Sequence, residues 1–242
     1  VILAIDAGNT RLKWALHDGE RFIADGAVPL NAVNKLVDAW KAFEAPAHVI
    51  VSNVAGPPVQ MLLEESFRPW NATPVWVVPK AEQCGVKNLY ENPGQLGPDR
   101  WAAIIGARHL AEGACLVVNA GTAMTVDALT SGGEFLGGLI VPGFDLMHTA
   151  LEDKTARLSA TSGSFVKFPR NSADAITSGA INALCGAVER MCRTMAERGD
   201  RKPEVLLGGG AGVLLAEHLD MPVRKVDKLV LEGLVQIAGE PA

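Results

Sequence analysis

LAIDAGNTRLKWAL at residues 3–16 and VVNAGTAMTVDAL at residues 117–129 are two copies of one phrase, one near the start of each half of the chain. With Asp6 set on Asn119, Ala7-Gly8 falls on Ala120-Gly121 and Ala15-Leu16 on Ala128-Leu129 without a gap. Each copy runs on into a Gly-Glu turn, Gly19-Glu20 and Gly133-Glu134. Both have the grammar of a phosphate-binding hairpin. An apolar strand delivers a polar residue, a small residue and a glycine at its tip, followed by a hydroxyl-bearing turn and a second apolar strand. A bare glycine lets backbone N–H groups approach an anion closely. Two such hairpins facing each other across a cleft hold the two ends of a triphosphate.

The repeat divides the 242 residues into two lobes, expected at 1–112 and 113–242, each of ordinary domain size. Around the hairpins the pattern alternates strand and helix. Amphipathic spacing predicts helices over 31–43, 57–67, 98–111, 144–158 and 172–198, and strands at 21–27, 48–52, 75–78 and 204–207. Residues 90–97 read as a loop by their Asn-Pro-Gly content, and 159–168 as an exposed polar loop. Hairpins followed by alternating helix and strand in both halves give two α/β lobes with mixed sheets.

Composition excludes several classes of function. The chain is 48% hydrophobic and 20% charged with a formal charge of −5, so nothing electrostatic favours nucleic acid or an anionic membrane as partner. No apolar run approaches the ~20 residues that span a bilayer. Four scattered cysteines, without a CxxC pair or a leader-like segment, set the expectation of a reducing cytoplasm. Cys185 and Cys192, seven apart, fall on one helix face as buried thiols. The five histidines neither cluster nor form HExxH, which argues against a zinc hydrolase. The sequence also lacks GxxxxGK[ST]. Gly208-Gly-Gly-Ala-Gly212 follows a strand, suits either tight packing or an adenosine loop, and fails GxGxxG at Val213.

The first hairpin carries the charged chemistry. Asp6 is placed to hold Mg²⁺, usually through water. Gly8, Asn9 and Thr10 line phosphate oxygens, and Lys13 neutralises their charge. An ordinary hairpin turn also favours Gly and Asn, so this copy alone does not decide the question. The second copy, with Gly121 and Thr122 in matching positions, tips it toward a ligand. Between them lies Tyr90 and then Gly97-Pro-Asp-Arg100. Asp99 is either a favourable charge at a helix start or the carboxylate that orients a substrate hydroxyl for phosphoryl transfer, and Arg100 is suited to a substrate carboxylate.

In their order and spacing, Asp6-Ala-Gly-Asn-Thr10 with Lys13, Tyr90 with Gly97-Pro-Asp-Arg100, and Asn119-Ala-Gly-Thr-Ala123 resemble type III pantothenate kinases. The resemblance covers essentially the whole chain. It implies the actin-like, ribonuclease H-like ATPase fold, with two similar lobes, each a mixed sheet with flanking helices, and ATP in the cleft between them. The implied reaction is Mg-ATP-dependent phosphorylation of pantothenate, the first step of coenzyme A synthesis. Asp6, Ala7, Gly8, Asn9, Thr10, Arg11, Leu12 and Lys13 would line the ATP phosphates together with Thr122. Asp99 would be the catalytic base, and Tyr90, Gly97, Pro98, Asp99 and Arg100 the pantothenate site. Ser172 matches a further substrate-binding threonine of the family, with Thr177 the weaker match. Members are homodimers.

Two positions depart from the family pattern. Asn119 stands where the family usually has an aspartate associated with a monovalent cation, K⁺ or NH₄⁺, and keeps an oxygen ligand without the charge. Pro98 replaces the usual alanine. The competing readings are a phosphatase or exopolyphosphatase on the same superfold, and a nucleotide-binding regulator without turnover. A water-using enzyme has no need of Arg100 and Tyr90 beside its base, and a pure sensor has no need of Asp99.

Overall fold

The computed structural model describes residues 1–40, 42–154, 163–199 and 202–240. The chain runs β1 (Ile2–Ala7), β2 (Arg11–His17), β3 (Phe22–Pro29), a 3-10 stretch (Leu30–Lys35), α1 (Leu36–Trp40), β4 (His48–Asn53), α2 (Pro57–Phe67) and β5 (Val75–Trp76). A short hairpin, β6 (Glu82–Gln83) and β7 (Val86–Asn88), precedes α3 (Pro98–Leu110). Then come β8 (Cys115–Ala120), β9 (Ala123–Leu129), β10 (Glu134–Pro142), α4 (Phe144–Lys154), α5 (Ser172–Glu197), β11 (Glu204–Gly208), α6 (Gly212–Ala216), β12 (Val223–Lys225) and α7 (Leu229–Gly239).

Two compact units result. Residues 1–110 with 228–242 form one, and 111–227 the other. The boundary expected after residue 112 falls after 110, and the expected assignment of the C-terminal stretch to the second lobe is corrected. Helix α7 packs on α3 and on β1 and β4 of the first unit because its buried Leu231, Leu234 and Val235 need an apolar cover.

In the first unit the strand order is β3-β2-β1-β4-β5, with β1 antiparallel to β2 and parallel to β4. Alternation along the strands separates two faces. Leu3, Ile5 and Ala7 with Trp14, Val49 and Val51 join Leu36, Trp40, Leu63 and Phe67 in one core. Its centre is aromatic: Trp40 stacks on Phe67 at 5.9 Å and meets Trp14 edge-on at 6.0 Å. Ala4, Asp6 and Ile50 leave by the opposite face, which α3 and α7 cover. In the second unit β12-β11-β8-β9-β10 lie in that order, and Leu116, Val118, Met124, Val126 and Leu207 pack under Ile181, Leu184, Val188 and Met195 of α5. Among the described helices, none is long and apolar enough to cross a membrane.

Several local expectations need revising. The helix predicted over 31–43 is a 3-10 stretch joined to one short α-helical segment, broken at Ala32 (φ −121°, ψ 19°), with its entry held by Leu30 N–H on Thr10 O at 3.3 Å. The predicted strand 75–78 keeps only two residues. The helix expected to reach 158 is described to Lys154, and residues 155–162, with the start of the expected loop, lie outside the described residues. Phe168, at the end of that expected loop, is 85% exposed.

The gapless alignment of the two hairpins is also corrected. Ala7 faces Leu12 across four residues, Gly8 to Arg11, whereas Ala120 faces Met124 across three, Gly121 to Ala123. The second tip is one residue shorter. Lys13, opposite Asp6, therefore corresponds to Thr125, opposite Asn119. The identical burial sequences of β2 and β9 confirm this register.

Helices α3 and α7 cross at glycines. A Cβ on Gly233 would overlap the Ala102 carbonyl and lie 2.9 Å from Gly106 N, and one on Gly106 would overlap Leu229 O. Gly233→Ala should therefore destabilise the protein by roughly 1–3 kcal/mol, the usual cost of overpacking. Gly239→Ala, in the same helix with open space, should leave the denaturant midpoint near the parent's. Equal midpoints for both variants would show that the crossing tolerates a methyl group.

Candidate active site

Asp6 sits one residue from the end of β1, with Lys13 opposite it on β2 and Ser52 opposite it on β4. The turn beyond is closed by Gly8 N–H donating to Arg11 O at 3.1 Å, and Val54 N–H donates to Ala7 O at 3.0 Å. Asn9, Thr10 and Arg11 are exposed at the tip, and Ala7 and Leu12 are buried beneath it.

The carboxylate of Asp6 is the electrostatic focus of this unit. Its Oδ1 is buried without a hydrogen-bond partner. Its pKa is raised from the ordinary 3.8 to about 7, first by burial and then by the negative charge of Asp99, with Lys13 opposing both. A carboxylate with one oxygen buried and unpartnered, and with the charge of a second carboxylate set against it, is suited to a divalent cation, which neutralises the charge and takes up the lone pairs. The donor set therefore fits Mg²⁺.

The charge of Asp99 acts on Asp6 because α3, which Asp99 helps to open, lies on the same sheet face. Its Oδ1 accepts from Arg100 N–H at 2.8 Å, which fixes the carboxylate on the first turn. A Cβ on Gly97 would stand 2.6 Å from that oxygen, so the bare backbone at 97 leaves room for this rotamer. Pro98 opens the helix as expected, where no N–H is required. Next along, Arg100 is buried, and its Nη1 donates to Tyr90 Oη at 3.0 Å with the guanidinium 5.7 Å from the ring centre.

The sequence reading missed what holds Tyr90 there. Hairpin β6–β7 is tied to α3 by Trp101 Nε1–H donating to Gln83 Oε1 at 3.1 Å, and Asn88 accepts from Tyr90 N–H at 3.1 Å. Strands of two or three residues carry no usable periodicity, so only the buried Gln83 and Asn88 could have signalled it.

In the second unit Gly121 N–H donates to Ala123 O at 3.1 Å, repeating the Gly8 turn, and Gly143 N–H donates to Thr122 O at 2.8 Å. Thr122 is exposed and Asn119 half-buried. Ser172 is the exposed first residue of α5, behind an Asn171 side chain that accepts from Asp174 N–H at 2.9 Å. It edges a groove of about 840 Å³ between α4 and α5 that is otherwise lined by residues such as Leu146, Met147, Leu151 and Ile176. Thr177 is buried, and its Oγ1 is unpartnered. Of the two candidates, Ser172 is the one open to a ligand. In the proposed adenosine loop, a Cβ on Gly209 (φ 91°) would overlap the Ala120 backbone, so packing accounts for that glycine, whereas Gly210 has open space. No group of three or more His, Cys, Asp or Glu suited to a metal occurs among the described residues.

The first unit thus gathers Asp6, Lys13, Asp99, Arg100 and Tyr90, and the second carries Asn119, Thr122 and Ser172. Against known proteins, the family model for type III pantothenate kinase matches residues 2–194. The chain is 49% identical over 242 residues to the type III pantothenate kinase of Aromatoleum aromaticum, covering 100% of this chain and 99% of that one. It is 46% identical over 240 residues to that of Nitrosospira multiformis, covering 99% and 92%. Among solved structures, (R)-2-hydroxyglutaryl-CoA dehydratase component A of Acidaminococcus fermentans is similar with a TM-score of 0.55 at 13% identity, over 98% of this chain and 95% of that one. The 2-hydroxyisocaproyl-CoA dehydratase activator of Clostridium difficile, with bound ADPNP, gives 0.52 at 14% identity, over 98% and 92%. These likenesses bear on fold alone, and they agree with the two-lobed actin-like ATPase architecture. On a family model spanning most of its length and relatives close to half identical from end to end, this chain belongs to the type III pantothenate kinase family.

Proposed function

We propose that this chain transfers the γ-phosphoryl group of ATP to the primary hydroxyl of pantothenate, opening coenzyme A biosynthesis. The observation that carries the mechanism is the buried, unpartnered Oδ1 of Asp6, set opposite Lys13 on a sheet face that α3 covers with Asp99 in its first turn. Phosphoryl transfer needs positioning and charge compensation more than a strong base.

Asp6 would hold the Mg²⁺ that accompanies ATP, and the ion, when bound, would neutralise charge on the phosphates. The tip from Asp6 to Lys13 contacts the phosphates, with Thr122 contributing from the second hairpin. Lys13 supplies the fixed positive charge. Asp99, with Oδ1 already engaged by Arg100 N–H, offers Oδ2 to the pantothenate hydroxyl. The hydroxyl oxygen bonds to the γ-phosphorus as the bond from that phosphorus to the β–γ bridging oxygen breaks, and the hydroxyl proton passes to Asp99. Arg100, oriented by Tyr90, pairs with the pantothenate carboxylate. Ser172 adds a hydroxyl contact, and the apolar groove beside it serves a homodimer. The four free thiols accord with a reducing cytoplasm.

Asn119 supports a different cation economy from the family's. A neutral amide offers oxygen without charge, so activity should change less than about threefold between K⁺, NH₄⁺ and neither, well short of the tenfold that 1.4 kcal/mol of lost binding would cause. A strict K⁺ requirement in a coupled ADP-release assay would overturn this.

Asp99→Asn should lower turnover about 100-fold or more, in the range set by loss of a positioned base, while nucleotide affinity stays within a few-fold. Equal losses in both would make Asp99 structural.

The raised pKa of Asp6 also has a stability consequence in the ligand-free protein. Between about pH 4 and 7 the unfolded chain releases this proton while the folded one keeps it, so stability falls across that window and levels off above it. Asp6→Asn removes the titration. Its stability relative to the parent should rise from pH 5 to pH 8 in denaturant unfolding, and a difference independent of pH would contradict the assignment.

A further inference from the structure

Ser52 has no role in the mechanism as stated, yet it occupies a telling position. The strand registers set Lys13, Asp6 and Ser52 side by side across β2, β1 and β4. Laterally paired residues leave a sheet by the same face, so the three form one polar row on the side covered by α3 and α7. The neighbouring rung on that face is apolar: Ala4 pairs with Ala15 and Ile50, all of them buried. Ser52 is completely buried, and its Oγ has no hydrogen-bond partner. Asp6 Oδ1, on the adjacent strand, is in the same condition.

Two orphaned polar atoms on adjoining strands are not a packing solution. Alanine would fill the position of Ser52 without the cost of an unsatisfied hydroxyl. Adjacent strands lie about 4.8 Å apart, which suits a single oxygen bridging two side chains. A buried water needs two or more polar partners, and this row supplies them.

We propose that Ser52 is a positioning residue for the divalent cation, its Oγ and Asp6 Oδ1 sharing one water of the ion's coordination shell. The inference rests on the reading of Asp6 as the carboxylate that holds the ion. Ser52 fixes that water and the carboxylate's orientation from the side opposite Lys13, and it touches neither phosphate nor pantothenate.

The test is Mn²⁺ affinity, read from the electron paramagnetic resonance of the free ion with the non-hydrolysable ATP analogue ADPNP present. Ser52→Ala should weaken Mn²⁺ about 10-fold, the lower end of the effect of losing a partner to a metal ligand. The melting midpoint of the ligand-free protein should be unchanged or raised, because an orphaned hydroxyl is removed. Ser66→Ala, which removes a buried hydroxyl that donates to Leu62 O, should lower the midpoint and leave Mn²⁺ affinity alone. Mn²⁺ affinity within twofold of the parent in Ser52→Ala overturns the inference whatever the midpoint does. If Ser52→Ala loses both stability and affinity, Ser52→Thr decides: recovery of Mn²⁺ affinity with the hydroxyl supports the role, and failure to recover overturns it. Asp6→Asn separates the two readings. Weakened Mn²⁺ in Asp6→Asn with none in Ser52→Ala removes Ser52 alone, and unchanged Mn²⁺ in Asp6→Asn removes the reading of Asp6 itself.

Discussion

A carboxylate near the end of a central β-strand, with one oxygen buried and lacking a hydrogen-bond partner, is the constraint around which the first unit is organised. Burying charge without a partner is costly enough that proteins normally neutralise it or pair it. Here the fold brings a second acid toward it. The central strand β1 carries Asp6 close to its C-terminal end, α3 lies across the face on which Asp6 stands, and the first turn of α3 presents Asp99. The depth at which α3 sits follows from Gly106 and Gly233, where the two helix backbones touch without intervening side chains. Close helix packing in the core and the electrostatics of the site are therefore one arrangement. It stores electrostatic cost that the proposed divalent cation would relieve.

The two hairpins share a scaffold and differ in chemistry. Both pair their strands antiparallel and close their turns by a glycine N–H donating to the carbonyl that begins the second strand. The first places Asp6 opposite Lys13, and the second places Asn119 opposite Thr125. Charge is concentrated in one copy, while the other offers a neutral amide, a hydroxyl pair and a shorter tip.

Much of this was legible in the sequence. Helix α2 begins at its proline and ends where its apolar spacing ends, and α3 and α5 lie within a residue of their expected limits. The residues proposed for the site of the first unit could also be picked out, since a polar side chain, a glycine and a hydroxyl recur at both strand tips. What stayed hidden depends on contacts between segments distant in the chain. The Ala-Leu match of the two repeats masked a one-residue difference in loop length, because letter identity does not report register. Helix α7 reads as an apolar helix that either unit could use, and only its glycine contact with α3 assigns it. Ser52 is an ordinary strand serine until β4 is laid beside β1. Hairpin β6–β7 is too short for any period, although it carries the anchors of Tyr90.

The central claim is that Asp6 and Asp99 share one electrostatic environment in the ligand-free protein. It is tested most directly by following the ¹³C resonance of the Asp6 side-chain carboxyl through a pH titration in the parent and in Asp99→Asn. A midpoint near 7 that moves down when the neighbouring charge is removed is the expected result. An ordinary carboxylate midpoint, indifferent to residue 99, would contradict the account.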